Sequence, residues 1–109
     1  MMPTAALDTV MRTLADPTRR AVFERIAHAD EISVVQLTQG SGVTQSAISQ
    51  HLGSLKRAGL VLDRAQGRNV FYRADPKGLA PLADWMGHYG TFWRDRFADL
   101  RALLEEIEP

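Results

Sequence analysis

Gln45, Ser46, Ser49 and Gln50 are neutral side chains that can each donate and accept hydrogen bonds, and they fall within six residues of one another. They belong to TQSAISQHLGSLKRAGL, residues 44–60, a stretch without a single Asp or Glu whose cations, Lys56 and Arg57, come late. Solvated helix faces usually carry both signs of charge. A face without acids suits an anionic partner. Gln pairs with adenine N6 and N7, and Ser can contact either kind of base pair. The chemistry expected of this set is recognition rather than catalysis. His28, His51 and His88 are scattered over separate segments, with no nucleophile motif, paired carboxylates or Gly-rich phosphate loop. An enzyme is therefore not expected.

These residues need a scaffold that fixes which way they face. Thr44 can cap a helix in which Ile48, Leu52 and Leu55 recur at spacings of four and three, a buried line. At about 100° per residue, Ser46, Gln50, Gly53 and Arg57 fall opposite it, with Gln45 and Ser49 on the flanks. His51 lies at the edge of the buried line. Two readings stand for it, a core-edge histidine bonded to a neighbour or a contact to DNA.

Upstream, a first helix is expected over about 5–14, with Leu7, Val10, Met11 and Leu14 on one stripe. Asp16 and Pro17 then read as an N-cap and a first helical residue. Val22, Phe23, Ile26 and Ala29 form the inner face of that second helix. Ser33 can cap a short third helix through about Gln39, which Gly40 and Gly42 terminate. Downstream, LVLDRA and NVFYRA flank QGRN, a hairpin with Gly67 at the turn and Arg68 beside it. Arg68 can reach phosphate or the minor groove, or simply sit exposed on the turn. Asp75–Pro76 repeats the cap-plus-proline signal, and one helical pattern is expected from there almost to the end. A short helix, a Gly turn, a polar-faced helix and a hairpin make a winged helix-turn-helix. The fold class expected is mainly α with a small β-hairpin wing.

The chain has 109 residues, 45% of them apolar, which suits one domain over 1–109. There is no Cys, hence no disulfide or thiolate chemistry. No signal peptide is legible, and no apolar run approaches the roughly 20 residues of a membrane span. A cytoplasmic location with no membrane partner is expected. The formal net charge is zero, but from Thr44 to Arg73 the cations Lys56, Arg57, Arg64, Arg68 and Arg73 meet only Asp63. From Pro76 onward the acids prevail. One face for a polyanion and another for a different partner follow from that asymmetry.

LADPTRRAVFERI, ISVVQLTQGSGVTQSAISQHLGSLKRAGLV and RAQGRNVFYRAD together resemble the ArsR family of small winged-helix transcriptional repressors, over nearly the whole chain. The resemblance implies a homodimer, a two-fold symmetric operator in double-stranded DNA, repression by occupancy, and base reading by Gln45, Ser46, Ser49 and Gln50. With the flanking groups, the expected DNA-contacting set is Thr44, Gln45, Ser46, Ser49, Gln50, His51, Lys56, Arg57, Arg64 and Arg68, within a DNA-binding part over about 16–75. The chain departs from the family where metals are sensed. Ser33 and Val35 stand at the positions of the two cysteines of the thiol-sensing members, and neither can bind arsenite, lead or cadmium. Of the Asp, His, His and Glu set of the zinc and nickel sensors, the tail offers only Asp84 and His88. A surface Asp–His contact is the reading preferred here, with a zinc- or nickel-responsive repressor as the alternative. No cofactor is expected, and no effector is legible.

The tail carries Leu82, Met86, Tyr89, Trp93, Leu100, Leu103 and Ile107 on one line that only Arg96 interrupts, widened by Trp85, Phe92, Phe97 and Leu104. A three-helix core has limited room for them. Dimerisation through helices 5–14 and 76–107, with Leu7, Met11, Leu82, Met86, Tyr89, Trp93, Leu100 and Leu103 at the interface, is expected. A ligand pocket in the tail and a protein-interaction module are the rival readings. Gly87 and Gly90 either let another helix approach or split the tail in two.

Overall fold

The computed structural model describes residues 5–107. The expected domain of 1–109 thus includes four residues at its start and two at its end that lie outside the described ones. The elements run α1 (Ala5–Ala15), α2 (Pro17–His28), β1 (Ile32–Ser33), α3 (Val34–Thr38), α4 (Gln45–Arg57), β2 (Val61–Gln66), β3 (Asn69–Ala74), α5 (Ala80–Gly87) and α6 (Gly90–Ile107).

Local chemistry sets most of these boundaries. Asp16, extended at φ −72°, ends α1 and accepts from the Arg19 N–H at 2.9 Å. Pro17 follows at the first helical position, where an N–H is not needed. Ser33 and Gln36 cap α3 reciprocally: Ser33 Oγ accepts from Gln36 N at 3.1 Å, and Gln36 Oε1 accepts from Ser33 N at 2.9 Å. Arg25 on α2 ties that short helix down by donating to Leu37 O at 2.7 Å and Gln36 O at 3.1 Å. The exit of α4 is a Schellman turn. Gly59, at φ +77°, donates to Lys56 O at 3.0 Å, and Leu60 N donates to Leu55 O at 3.0 Å. Gly67 takes φ +62° while Arg68 does not, the pattern of a II′ hairpin turn.

The core unites Val10, Val22, Phe23, Ile26, Leu37, Ile48, Leu52, Leu55, Leu60 and Val61. The expected stripe on α1 divides. Val10 and Thr13 are buried with Leu14 packed nearby, whereas Met11 is exposed and Leu7 half-buried. Ala29 is only half-buried.

Two expectations need correction. The sheet has three strands, ordered β1-β3-β2, because Ile32 and Ser33 pair antiparallel with Tyr72 and Phe71. A two-residue strand has no periodicity to read. The tail does not become helical at Pro76. Residues 76–79 form turns, with Lys77 N donating to the Asp75 side chain at 3.0 Å and Gly78 N to Asp75 O at 2.9 Å. Pro81 explains the delay. In a helix from 76 its ring would strike the carbonyl of Lys77, while in the first turn of α5 it costs nothing. Of the two readings of Gly87 and Gly90, the split is the one adopted: His88 and Tyr89 form a turn between α5 and α6.

Gly78 is buried where the tail crosses the α4 exit. A Cβ there would lie 2.6 Å from Gly59 O and 2.9 Å from the Leu60 Cα, both backbone atoms that cannot swing aside. A Cβ on Gly87 would meet nothing within 4 Å. Gly78→Ala is therefore expected to destabilise the fold by about 1–3 kcal/mol. Gly87→Ala should be neutral or stabilising by up to about 1 kcal/mol. Thermal unfolding of both variants checks the contrast, and equal melting temperatures would contradict it.

Candidate nucleic-acid interface

Burial of Ile48, Leu52 and Leu55 locks the rotation of α4. Gln45, Ser46, Ser49 and Gln50 then stand exposed on its first two turns. Thr44 is exposed too, its hydroxyl accepting from Ala47 N at 3.1 Å as the cap. His51 is half-buried, as its place at the stripe's edge suggests. It lines a groove of about 390 Å³ with Arg19, Ser49, Gln50 and Arg57.

The wing lies on the other flank of α4. Arg68, at the hairpin tip, is exposed and lines a groove of about 210 Å³ together with Gln45, Ser49 and Asn69. The fold thus puts the tip cation and the start of α4 on one depression.

The remaining cations are less free than the linear count implies. Lys56 Nζ lies 3.0 Å from Asp63 Oδ2, and the hydrogen bond raises the lysine's pKa. Arg64 forks onto Glu31, its Nε 2.7 Å from Oε2, donates to Gln66 Oε1 at 2.6 Å and stacks over the Phe71 ring at 4.9 Å. That hydrogen bond holds the Glu31 carboxyl below its usual range and raises Arg64. Glu31 lies outside the 44–73 segment, so no charge count over that segment includes it. Arg57 donates to Ser54 Oγ at 3.3 Å. Arg19 was not singled out by the sequence. It sits two residues beyond a proline in an ordinary capping signal, and only the packing of α2 on α4 brings it to the recognition face.

Ser33 is buried, with its hydroxyl engaged in capping α3, and Val35 is exposed. Asp84 and His88 are both exposed in and just after α5, joined by a backbone bond of 3.3 Å from His88 N to Asp84 O. Among the described residues no three His, Cys, Asp or Glu gather to hold a metal ion. No helix of the described chain is long and apolar enough to cross a membrane.

A short helix, a glycine turn, an acid-free helix with its polar face in solvent and a hairpin beside it define a winged helix-turn-helix protein. A helix-turn-helix domain family matches residues 14–64. The chain is 43% identical over 84 residues to the transcriptional regulator Rv2034 of Mycobacterium tuberculosis, spanning 77% of this chain and 78% of that one. It is 40% identical to the arsenic resistance regulator ArsR1 of Pseudomonas putida over 62% of this chain, but only 53% of that relative's length. A solved ArsR-like transcriptional regulator from Rhodococcus, 30% identical, superposes with a TM-score of 0.70 over 91% of this chain and 92% of its own. The chain belongs to the ArsR family of helix-turn-helix transcriptional regulators.

Asp16 offers a test of how the recognition face is held. Its carboxyl sits below the ordinary value of 3.8, first because Arg19 N donates to it, then through the charges of Arg19 and His51. A lowered carboxylate stabilises the fold above its unfolded pKa, and that contribution disappears as pH falls through the folded value. Asp16→Asn keeps a capping oxygen but cannot titrate. Between about pH 5 and about pH 3 the wild type should lose more thermal stability than Asp16→Asn. Parallel acid losses in the two proteins would remove Asp16 from the acid response.

Proposed function

We propose that the protein is a homodimeric repressor that occupies an inverted-repeat operator with one α4 in each of two successive major grooves. The observation that carries this reading is the exposed first half of α4, with four hydrogen-bonding side chains and no acid, of which Gln45 and Ser49 line the same groove as Arg68. Helix-turn-helix proteins place the start of the second helix against base edges. Gln45, Ser46, Ser49 and Gln50 are the base readers in this reading. Thr44, His51, Arg57 and Arg68 face the sugar–phosphate backbone, and Lys56 and Arg64 join them by exchanging their carboxylates for phosphates. Half-sites would lie about one DNA turn, roughly 34 Å, apart.

The dimer rests on the tail. Trp85, Met86, Tyr89, Phe92, Trp93, Phe97, Leu100, Leu103, Leu104 and Ile107 are all exposed in the single chain, and α5 and α6 contain no buried residue. Their aromatic contacts are with one another: Trp85 with Tyr89, and Trp93 with Phe92 and Phe97. An apolar surface of that extent on a water-borne protein marks an interface. Met11 and the half-buried Leu7 and Leu82 extend it onto α1 and the start of α5. With Ser33 and Val35 where a thiolate sensor needs sulfur, release of the operator by arsenite, cadmium or lead is no part of this reading.

Gln50→Ala should cost about 1–3 kcal/mol on the operator and much less on scrambled DNA. Fluorescence anisotropy on the two duplexes measures the difference, and equal losses would remove Gln50 from base reading. Phe97 is 65% exposed, so no monomer core depends on it. Phe97→Glu is expected to leave the secondary structure intact, shift the protein from dimer to monomer in sedimentation, and sharply weaken operator binding through loss of the second half-site. A variant that stays dimeric and binds normally would place the interface elsewhere.

A further inference from the structure

Two grooves flank the exposed face of α4. One holds Arg68 and the other holds Arg19, and of their lining residues only Ser49 is shared. The Arg19 groove continues into a second depression of about 210 Å³ through Arg19, Ser54 and Arg57, where Arg12 of α1 joins them. Among the described residues no Asp or Glu lines either part. The charge on this flank differs from that near the wing, where Lys56 and Arg64 are each paired with a carboxylate. Arg12, Arg19 and Arg57 have no salt bridge among the described residues.

Arg19 is the central group. Its Nε is buried without a hydrogen-bond partner, and its Nη1 reaches Thr13 O only at 3.4 Å. A guanidinium has five donors, and with Nε buried and Nη1 only weakly engaged, its outer Nη donors are the ones an anion in the groove would meet. Arg57 is steered toward the same place. Ser54 Oγ accepts from its Nη2 at 3.3 Å, and Gly53 leaves the space above it open, since a Cβ there would lie 3.3 Å from the Arg57 Nη1. Asp16 lies close enough to feel the charges of Arg19 and His51, but its carboxyl accepts from the Arg19 N–H and does not line the groove.

Three arginines along an open, acid-free trough fit a row of singly charged phosphodiesters. A small phosphorylated metabolite calls for a more enclosed pocket. We propose that Arg12, Arg19 and Arg57 seat the operator's phosphate backbone along the flank of α4 away from the wing, so that α1 and α2 extend the DNA contact beyond the helix-turn-helix. The inference rests on the DNA-binding reading above and adds two residues, Arg12 and Arg19, that neither the motif nor the wing supplies. It also makes α1 a shared element, with Arg12 toward DNA and its neighbour Met11 on the exposed side assigned to the dimer.

The test is anisotropy on operator and scrambled duplexes between about 50 and about 200 mM salt. The proteins compared are wild type, Arg12→Gln, Arg19→Gln, Arg57→Gln and Arg19→Lys. Each Gln variant should lower the slope of log K against log salt by about 0.9 and weaken both duplexes roughly five-fold near physiological salt, leaving the operator preference unchanged. Arg19→Lys should keep the slope. Arg12 is exposed, so Arg12→Gln carries the test if Arg19→Gln fails to fold. Unchanged slopes in Arg12→Gln and Arg57→Gln, with the wild type still preferring its operator, would overturn the groove and leave the DNA reading standing. A wild type with neither operator preference nor salt dependence would overturn the DNA reading itself. Inorganic pyrophosphate, added at matched ionic strength, tests for a free anion. No displacement of DNA is expected, and displacement that disappears in Arg12→Gln would give the site to a small anion instead.

Discussion

The recognition face exists only because Ile48, Leu52 and Leu55 are pulled into the core by α2, α3 and β2. A helix has one rotational degree of freedom about its axis, and burial of three large side chains on one line removes it. Each of these side chains contributes about 1.5–3 kcal/mol when fully buried. A rotation by one residue position would turn Ser49 and Lys56 into the core in one sense, or His51 and Ser54 in the other, and leave their polar groups unsatisfied. Everything that the polar face presents to a partner is therefore set from the apolar side. The caps at Thr44 and the Schellman turn at Gly59 fix the length of the helix, so that its first turn is free and its last turn is pinned against the sheet and the start of the tail.

Electrostatics is then divided between the two flanks of that helix. Near the wing, acids from two separate places in the chain hold two cations: Asp63 from β2 binds Lys56, and Glu31 from the loop before β1 binds Arg64. Exposed pairs of this kind contribute little to stability, because solvent screens them. Their effect is on availability, since each cation is already engaged by a carboxylate. On the α2 flank, Arg12, Arg19 and Arg57 have no salt bridge among the described residues, and Arg19 has an unfilled buried donor. The two flanks of the polar ridge thus differ in how far their cations are neutralised.

The tail obeys a different constraint. Gly78 lets it cross within contact of the α4 exit, Pro81 delays the helix, and the turn at His88 and Tyr89 redirects it. Beyond that turn, α6 has 18 residues and buries none of them within its own chain. The apolar side chains that make the core of most small domains are here held outside it, which is why the single chain spans 56 Å in its longest direction. A second copy covering this stripe would also set the separation of two α4 helices.

Much of this was legible in the residues alone, wherever the determinant is local. Asp16–Pro17, Ser33 and Thr44 name helix starts because a capping side chain reaches only two or three residues along the chain. The 48–52–55 line names an inner face because a helix repeats every 3.6 residues. Gly67 names the hairpin. Cross-chain relations carried no such signal. The pairing of Ile32 with Tyr72, the fork from Arg64 to Glu31 and the arrival of Arg19 beside Ser49 join residues at least thirty positions apart. Even the Asp75–Pro76 signal, complete in itself, yielded to Pro81 and to the close packing of Gly78 on Gly59. Hydrogen bonds within one turn are written in order along the chain. Which distant charge neutralises which, and which arginine is left free, is decided only when packing sets the elements side by side.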